Sequence, residues 1–253
     1  APKGARWAYK TNTPPSWTMV VDGKAQETAE DLGEAVWSPD GKSVAYKAGA
    51  RGKYSVVVDG KKGKVYPDVG DPGFSPDGKT VAYVAKAENN AGEFVVYGDK
   101  QTEVFSRIYP PVFSADGQHM AYAARGENGK YMVVLDDKRG PAEFEAVGPI
   151  QISPDGAHVA FAGQWNFRWT CVIDSGRSSL NDIMLTPVWG PDSKKVAYAG
   201  QNLGKWFVEV NYRRGDDYDE VLTPPVFSAD GRKCACGVRR GPDLLWKVVP
   251  VID

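Results

Sequence analysis

The chain has 253 residues, and its 31 Lys and Arg against 32 Asp and Glu give a net charge of −1. It therefore lacks the broad basic field on which nucleic-acid and acidic-lipid binding depend. Its 28 glycines and 18 prolines suit a chain that turns often, and no apolar run approaches the ~20 residues a spanning helix needs.

Taken in chain order, "APKG" reads as the remnant of signal-peptide cleavage or as an arbitrary start. "RWAYK" from Arg6 and "WTMVVDGK" from Trp17 then give two strands. "WSPDGKSVAY" follows from Trp37, "FSPDGKTVAY" from Phe74, "FSADGQHMAY" from Phe113 and "ISPDGAHVAF" from Ile152. "WGPDSKKVAY" from Trp189 and "FSADGRKCAC" from Phe227 complete six copies spaced 37 to 39 residues apart. After each comes a β-branched, aromatic phrase: "YSVVVDGKKG" from Tyr54, "EFVVYGDK" from Glu93, "YMVVLDDKRG" from Tyr131, "WTCVIDSG" from Trp169, "WFVEVNYRRG" from Trp206 and "LWKVVPVID" from Leu245.

Each unit reads as four short strands. The first ends before Ser-Pro-Asp-Gly, where Pro presets φ and Gly accepts positive φ. The second is the alternating "VAY" strand and the third the "VVVD" strand, with an Asp-Gly-type turn after it. A more polar fourth strand is expected at "KVYPDV" or "AEFEAV". Four strands repeated at about 38 residues are the pattern of β-propeller blades.

The "FSPDGKxVAY…VVVDG" phrasing resembles the WD-like propeller repeats of the TolB-like family over nearly the whole chain. That resemblance implies an all-β propeller of four-stranded antiparallel blades and a bacterial, periplasmic or secreted setting, the cytoplasm being the alternative. It does not choose between docking platforms, sensors and catalytic propellers. Seven blades fit best, with a seam joining the termini near Ala5 and Asp253; six blades plus an edge hairpin is the alternative. Residues 1–253 are expected to form one domain, with a partial blade at about 5–33 and repeats from 34 to 253.

Asp40, Asp77, Asp116, Asp155, Asp192 and Asp230 recur once per repeat. A turn explains that recurrence and catalysis does not, since an Asp side chain accepts nearby backbone N–H groups. "GPDS" at Gly190–Ser193 loses the glycine and is expected to turn differently. Trp17, Tyr54, Tyr131, Trp169 and Trp206 head the third strands, Trp37, Phe74, Phe113, Trp189 and Phe227 end the first, and all ten are expected in the core. Cys171, Cys234 and Cys236 match no metal spacing and read as buried free thiols.

Function is sought where the copies disagree. "GQWNFRWT" places Trp165 and Phe167 in a loop whose sisters are charged, so these two mark a contact surface or a loop folded onto its neighbour. The residue five places after the start of each "VAY" is Asn12, Gly49, Lys86, Arg125, Gln164, Gln201 and Arg239 in turn. These are expected at one rim, beside connections carrying Asp71, Tyr109 and Thr223, facing an acidic peptide or a carboxylate, or simply solvent. His119 and His158 occupy equivalent places at the start of the second strand, away from that rim.

The expected function is a non-catalytic scaffold offering one loop face to a protein or peptide partner. The candidate contacts are Lys86, Tyr109, Arg125, Gln164, Trp165, Phe167, Gln201 and Arg239. No cofactor, metal, nucleic acid or membrane insertion is expected, and the chain is a candidate for association with a larger assembly. Two alternatives are a small-ligand binder or enzyme acting on an anionic saccharide in a central funnel, through Asp71, Tyr109 and Arg125, and a structural array within such an assembly.

Overall fold

A computed structural model describes residues 6–141 and 143–251, the side chains of 249 and 250 excepted. Ala1, Ala5 and Asp253, where the seam was expected, lie outside the described residues. The chain divides into two compact units, Ala1–Gly117 and Gln118–Asp253. Its described strands form seven antiparallel sheets, and the fold is that of a β-propeller. Among the described residues no helix is long and apolar enough to cross a membrane.

The first unit opens with the three-stranded sheet Ala8–Thr13, Ser16–Val21 and Lys24–Ala29. Next, Val44–Ala50 pairs with Lys53–Val58 on one side and with the short pieces Asp31–Leu32 and Val36–Trp37 on the other. The third sheet runs Gly73–Phe74, Val81–Lys86, Glu93–Tyr97 and Lys100–Gln101. In the second unit, hairpins join Met120–Arg125 to Tyr131–Leu135, Val159–Trp165 to Arg168–Ile173, and Val196–Asn202 to Lys205–Val210. Lys233–Arg240 with Asp243–Pro250 closes the series.

One expectation about the strands needs correcting. "KVYPDV" is not a continuous fourth strand. Tyr66 bridges Tyr54, and two residues after Pro67, Val69 bridges Ala85 of the next sheet. Pro67 has no N–H to donate, so the segment leaves one ladder there and joins another. "AEFEAV" crosses similarly: Phe144 bridges Tyr131, and Ala146–Val147 pairs with Gly163 and Gln164.

The core lies between successive sheets. Met19 and Val21 pack with Val44, Tyr46 and Val57, while Ala160 and Cys171 pack with Val196, Tyr198 and Phe207. The small-then-aromatic pairs Ala45–Tyr46, Ala121–Tyr122 and Ala197–Tyr198 of three second strands are almost fully buried. Gly163 leaves room for Phe144, whose ring stands 2.6 Å from where a Cβ would be. Of the ten repeat aromatics expected in the core, nine are half-buried, with Trp37, Tyr54, Phe74, Trp189, Trp206 and Phe227 packed against it, and Trp17 is 38% exposed. They sit at strand ends, where cations cover the outer faces of some: Lys47 lies 4.4 Å above Tyr54 and Arg125 5.9 Å above Tyr131.

The Ser-Pro-Asp-Gly phrase is a turn, as expected. Ser38 Oγ donates to Asp40 Oδ1 at 2.7 Å, the same Asp oxygen accepts Lys42 N–H, and Ser38 Oγ accepts Ser43 N–H. Gly41 adopts φ +72°, and its counterparts in four other copies do likewise. "GPDS" differs locally, as expected, since Gly190 lacks the serine Oγ that bonds the Asp and the following N–H in the other copies, but its backbone path is kept. Ser193 takes φ +59°, Ser193 N–H bonds Gly190 O, and Asp192 Oδ1 accepts Lys194 N–H, so the turn is kept without its glycine. Ser193 Oγ also accepts Asp155 N–H of the preceding blade at 2.9 Å, a bond no glycine offers.

Candidate functional site

The rim residues share one structural address. Lys86 faces Glu93 across its hairpin, Arg125 faces Tyr131, Gln164 faces Trp169, Gln201 faces Trp206 and Arg239 faces Leu244. Each therefore stands opposite the head of a third strand, where the second strand runs out.

Acidic side chains that sequence reasoning passed over accompany these positions. Asp68 meets Lys47 at 2.9 Å and Lys86 at 3.2 Å, and Arg239 Nε meets Glu220 at 3.1 Å. Burial raises the Asp68 carboxyl pKa, but hydrogen bonds from Lys47 and Lys86 outweigh it and hold that pKa below the usual range. The basic groups at Lys86 and Arg239 are thus paired. Beside Lys86, a cleft of about 480 Å³ is lined by Asp68, Asp71, Glu93, Arg107 and Ile108. Tyr109 is 42% exposed in the same unit. Arg125 belongs to the second unit, where its Nε donates to Gly129 O at 2.9 Å.

In the second unit the acids form a repeated clasp. Glu145 takes Lys130 at 2.6 Å and the backbone N–H of Asn166. Asp182 takes Arg168 at 3.3 Å and Leu203 N–H at 2.8 Å. Asp219 takes Lys205 and Gly241 N–H, both at 2.6 Å. In each case an acid directly ahead of a blade's short opening strand (Ala146–Val147, Ile183–Met184 or Glu220–Val221) ties the base that heads the previous third strand to the hairpin turn of its own blade. Hydrogen bonds from Lys130 and Lys205 hold Glu145 and Asp219 below the usual carboxylate range.

The clasped turns carry the exposed apolar residues. Trp165 pairs with Arg168 across a two-residue turn, with Asn166 at φ +49° and Phe167 at φ +62°. The sister turns place Gly52 and Gly204 where Phe167 stands, both at φ +77°. Phe167 is 86% exposed, and Leu203 of the next turn is 96% exposed. The loop is therefore not folded back on its neighbour at Phe167. Trp165 is less exposed, with the Arg177 guanidinium 5.5 Å from its ring. Arg168 bonds Asn202 Oδ1 at 2.8 Å, linking the Phe167 hairpin to the Leu203 hairpin.

Away from these tips, each His pairs with the Asp after the third strand. His119 Nδ1 lies 2.6 Å from Asp136 and His158 Nδ1 2.7 Å from Asp174. A buried acid that sequence reasoning also missed, Glu209, stands across the ladder from Tyr198. Burial raises its pKa. The three cysteines are free and buried, and burial, then the Glu209 charge, push the Cys171 thiol up to about 12. Among the described residues no group of three or more His, Cys, Asp or Glu is placed to hold a metal ion.

No protein-family model and no curated protein matches the chain in sequence. Solved structures similar in fold include TolB from Acinetobacter baumannii, 15% identical, covering 85% of this chain with a TM-score of 0.38. This chain spans 63% of that protein's length. The β-propeller domain of the Trilobed protease from Pyrococcus furiosus is 13% identical, with 88% and 84% of the two chains covered and a TM-score of 0.47. A putative TolB from Agrobacterium tumefaciens is 17% identical, with 91% and 94% covered and a TM-score of 0.39. These likenesses concern the fold alone, and the fold is that of a β-propeller.

Proposed function

We propose that this chain is a non-catalytic binding propeller that presents the hairpin tips of its second unit to a protein or peptide partner. Phe167 carries the reading. A bulky side chain at positive φ costs about 1–2 kcal/mol, which the glycine of the sister turns avoids. Here that cost is met by a ring that makes no core and stands 86% exposed. Leu203 on the adjoining tip and half-exposed Trp165 extend the apolar contact, and Gln164, Gln201 and Arg239 supply polar groups at the same ends of their blades. Lys86 and Tyr109 belong to the reading as candidate contacts of the first unit. A periplasmic or secreted setting goes with it, on the resemblance of the repeat.

A photo-crosslinking amino acid at position 167, used on extract of the source cells, tests this. A discrete adduct that excess wild-type chain suppresses and excess Phe167→Gly chain does not is the expected result. Equal suppression by both would remove Phe167 from the contact.

A further inference from the structure

The second unit holds a cleft of about 510 Å³ between the outer part of the Tyr131–Leu135 blade and the start of the Val159–Trp165 blade. This is the size range of small-molecule sites, which join an apolar floor to a few placed polar groups. The floor here is Val133, Leu135, Val159 and Phe161. At the wall Gly156 sits directly against His119, so that a Cβ there would overlap the imidazole.

The neighbouring blade pair shows how such a crevice is filled. Ser175, which lines the cleft, is matched in the next repeat by Tyr212. The Tyr212 hydroxyl reaches to 3.1 Å from the Cβ position of Gly176, so the half-exposed phenol ring lies over the mouth of that crevice. Gly176 in turn is matched in the preceding repeat by Lys138. Where the second crevice has a ring ending at a glycine, the first has a small serine, an open space and a lysine.

The charges narrow the ligand further. Asp136 accepts Met120 N–H at 3.0 Å and pairs with His119, while Asp174 accepts Val159 N–H at 3.0 Å and pairs with His158. Both carboxylates are thus committed to backbone and imidazole. Lys138 has no ion-pair partner among the described residues.

We propose that this cleft binds a small aryl carboxylate, its ring in the space that Tyr212 fills one blade along and its carboxylate on the Lys138 ammonium. The site is separate from the hairpin tips and stands or falls without them. Phenylacetate is the probe, titrated into the full chain by calorimetry, with phenylacetamide as the uncharged match. Saturable binding in the millimolar range or tighter is expected, weakened about tenfold for the amide and for Lys138→Ala. Ser175→Tyr, which reproduces the natural plug, is expected to abolish binding with the melting temperature unchanged. No saturable binding by the wild-type chain overturns the proposal, as does full affinity in folded Ser175→Tyr. Should Ser175→Tyr not fold, the surface variant Lys138→Ala decides, and unchanged affinity there overturns it.

Discussion

Asp219 Oδ2 accepts the backbone N–H of Gly241 at 2.6 Å, fastening the last hairpin turn from outside its own ladder. Lys205 completes the clasp, as Arg168 does at Asp182 and Lys130 at Glu145. Asp219→Ala is therefore expected to leave the core strands intact and to speed amide exchange at Gly241. Hydrogen exchange resolved by residue checks this, and unchanged protection of Gly241 would mean that the ladder alone holds the turn.

The same clasps carry a pH dependence. The carboxyls of Glu145 and Asp219 are held below their ordinary range by Lys130 and Lys205. A depressed folded-state pKa gives stability that is present above the unfolded value and lost as pH falls through the folded one. The tips are thus expected to loosen below about pH 4 while the core persists. Amide exchange at Asn166 and Gly241 across an acid titration reads this out, with Asp219→Asn flattening the profile at Gly241.

Glu209 runs with the opposite sign. Burial raises its pKa, so it is easier to accommodate protonated, and stability falls as pH rises through and above the ordinary carboxylate range. Glu209→Gln is expected to melt higher than wild type at pH 7, with the difference closing in acid. A melting temperature that drops at pH 7 would show that the charge has a use the burial argument omits.

Ser193 separates backbone strain from a hydrogen bond. Ser193→Gly relieves the positive φ but loses the bond from Asp155 N–H, whereas Ser193→Ala keeps the strain and loses the bond as well. The alanine variant is expected to be less stable than the glycine variant by about 1 kcal/mol in denaturant titration.

The repeat was legible because each blade restates it locally. Ser-Pro-Asp-Gly, the "VAY" strand and the Asp-Gly turn rest on contacts a few residues apart, and Ser38, Asp40 and Gly41 show why those types are required. What crosses from blade to blade was not legible. Asp68 and its counterparts lie in the least regular stretch of each repeat, and all but Asp31 meet a base on a neighbouring sheet. The signal was still available, since an acid stands seven to nine residues before the turn in five of six copies: Asp31, Asp68, Glu145, Asp182 and Asp219. At Ser193 the loss of glycine marked a local difference in the turn, but the bond it accepts from Asp155 of the preceding blade was not legible. Phe167 was marked as an outlier by composition, but its place in a glycine position of the turn needed φ.

The binding face is tested most directly by Phe167→Gly. Peptides selected on the immobilised wild-type chain are titrated against the wild type and the variant, with melting curves of both. Removing the strain is expected to raise stability by about 1 kcal/mol, and removing the ring to weaken binding by at least about tenfold. A variant that is more stable yet binds every selected peptide as tightly as the wild type would contradict the account.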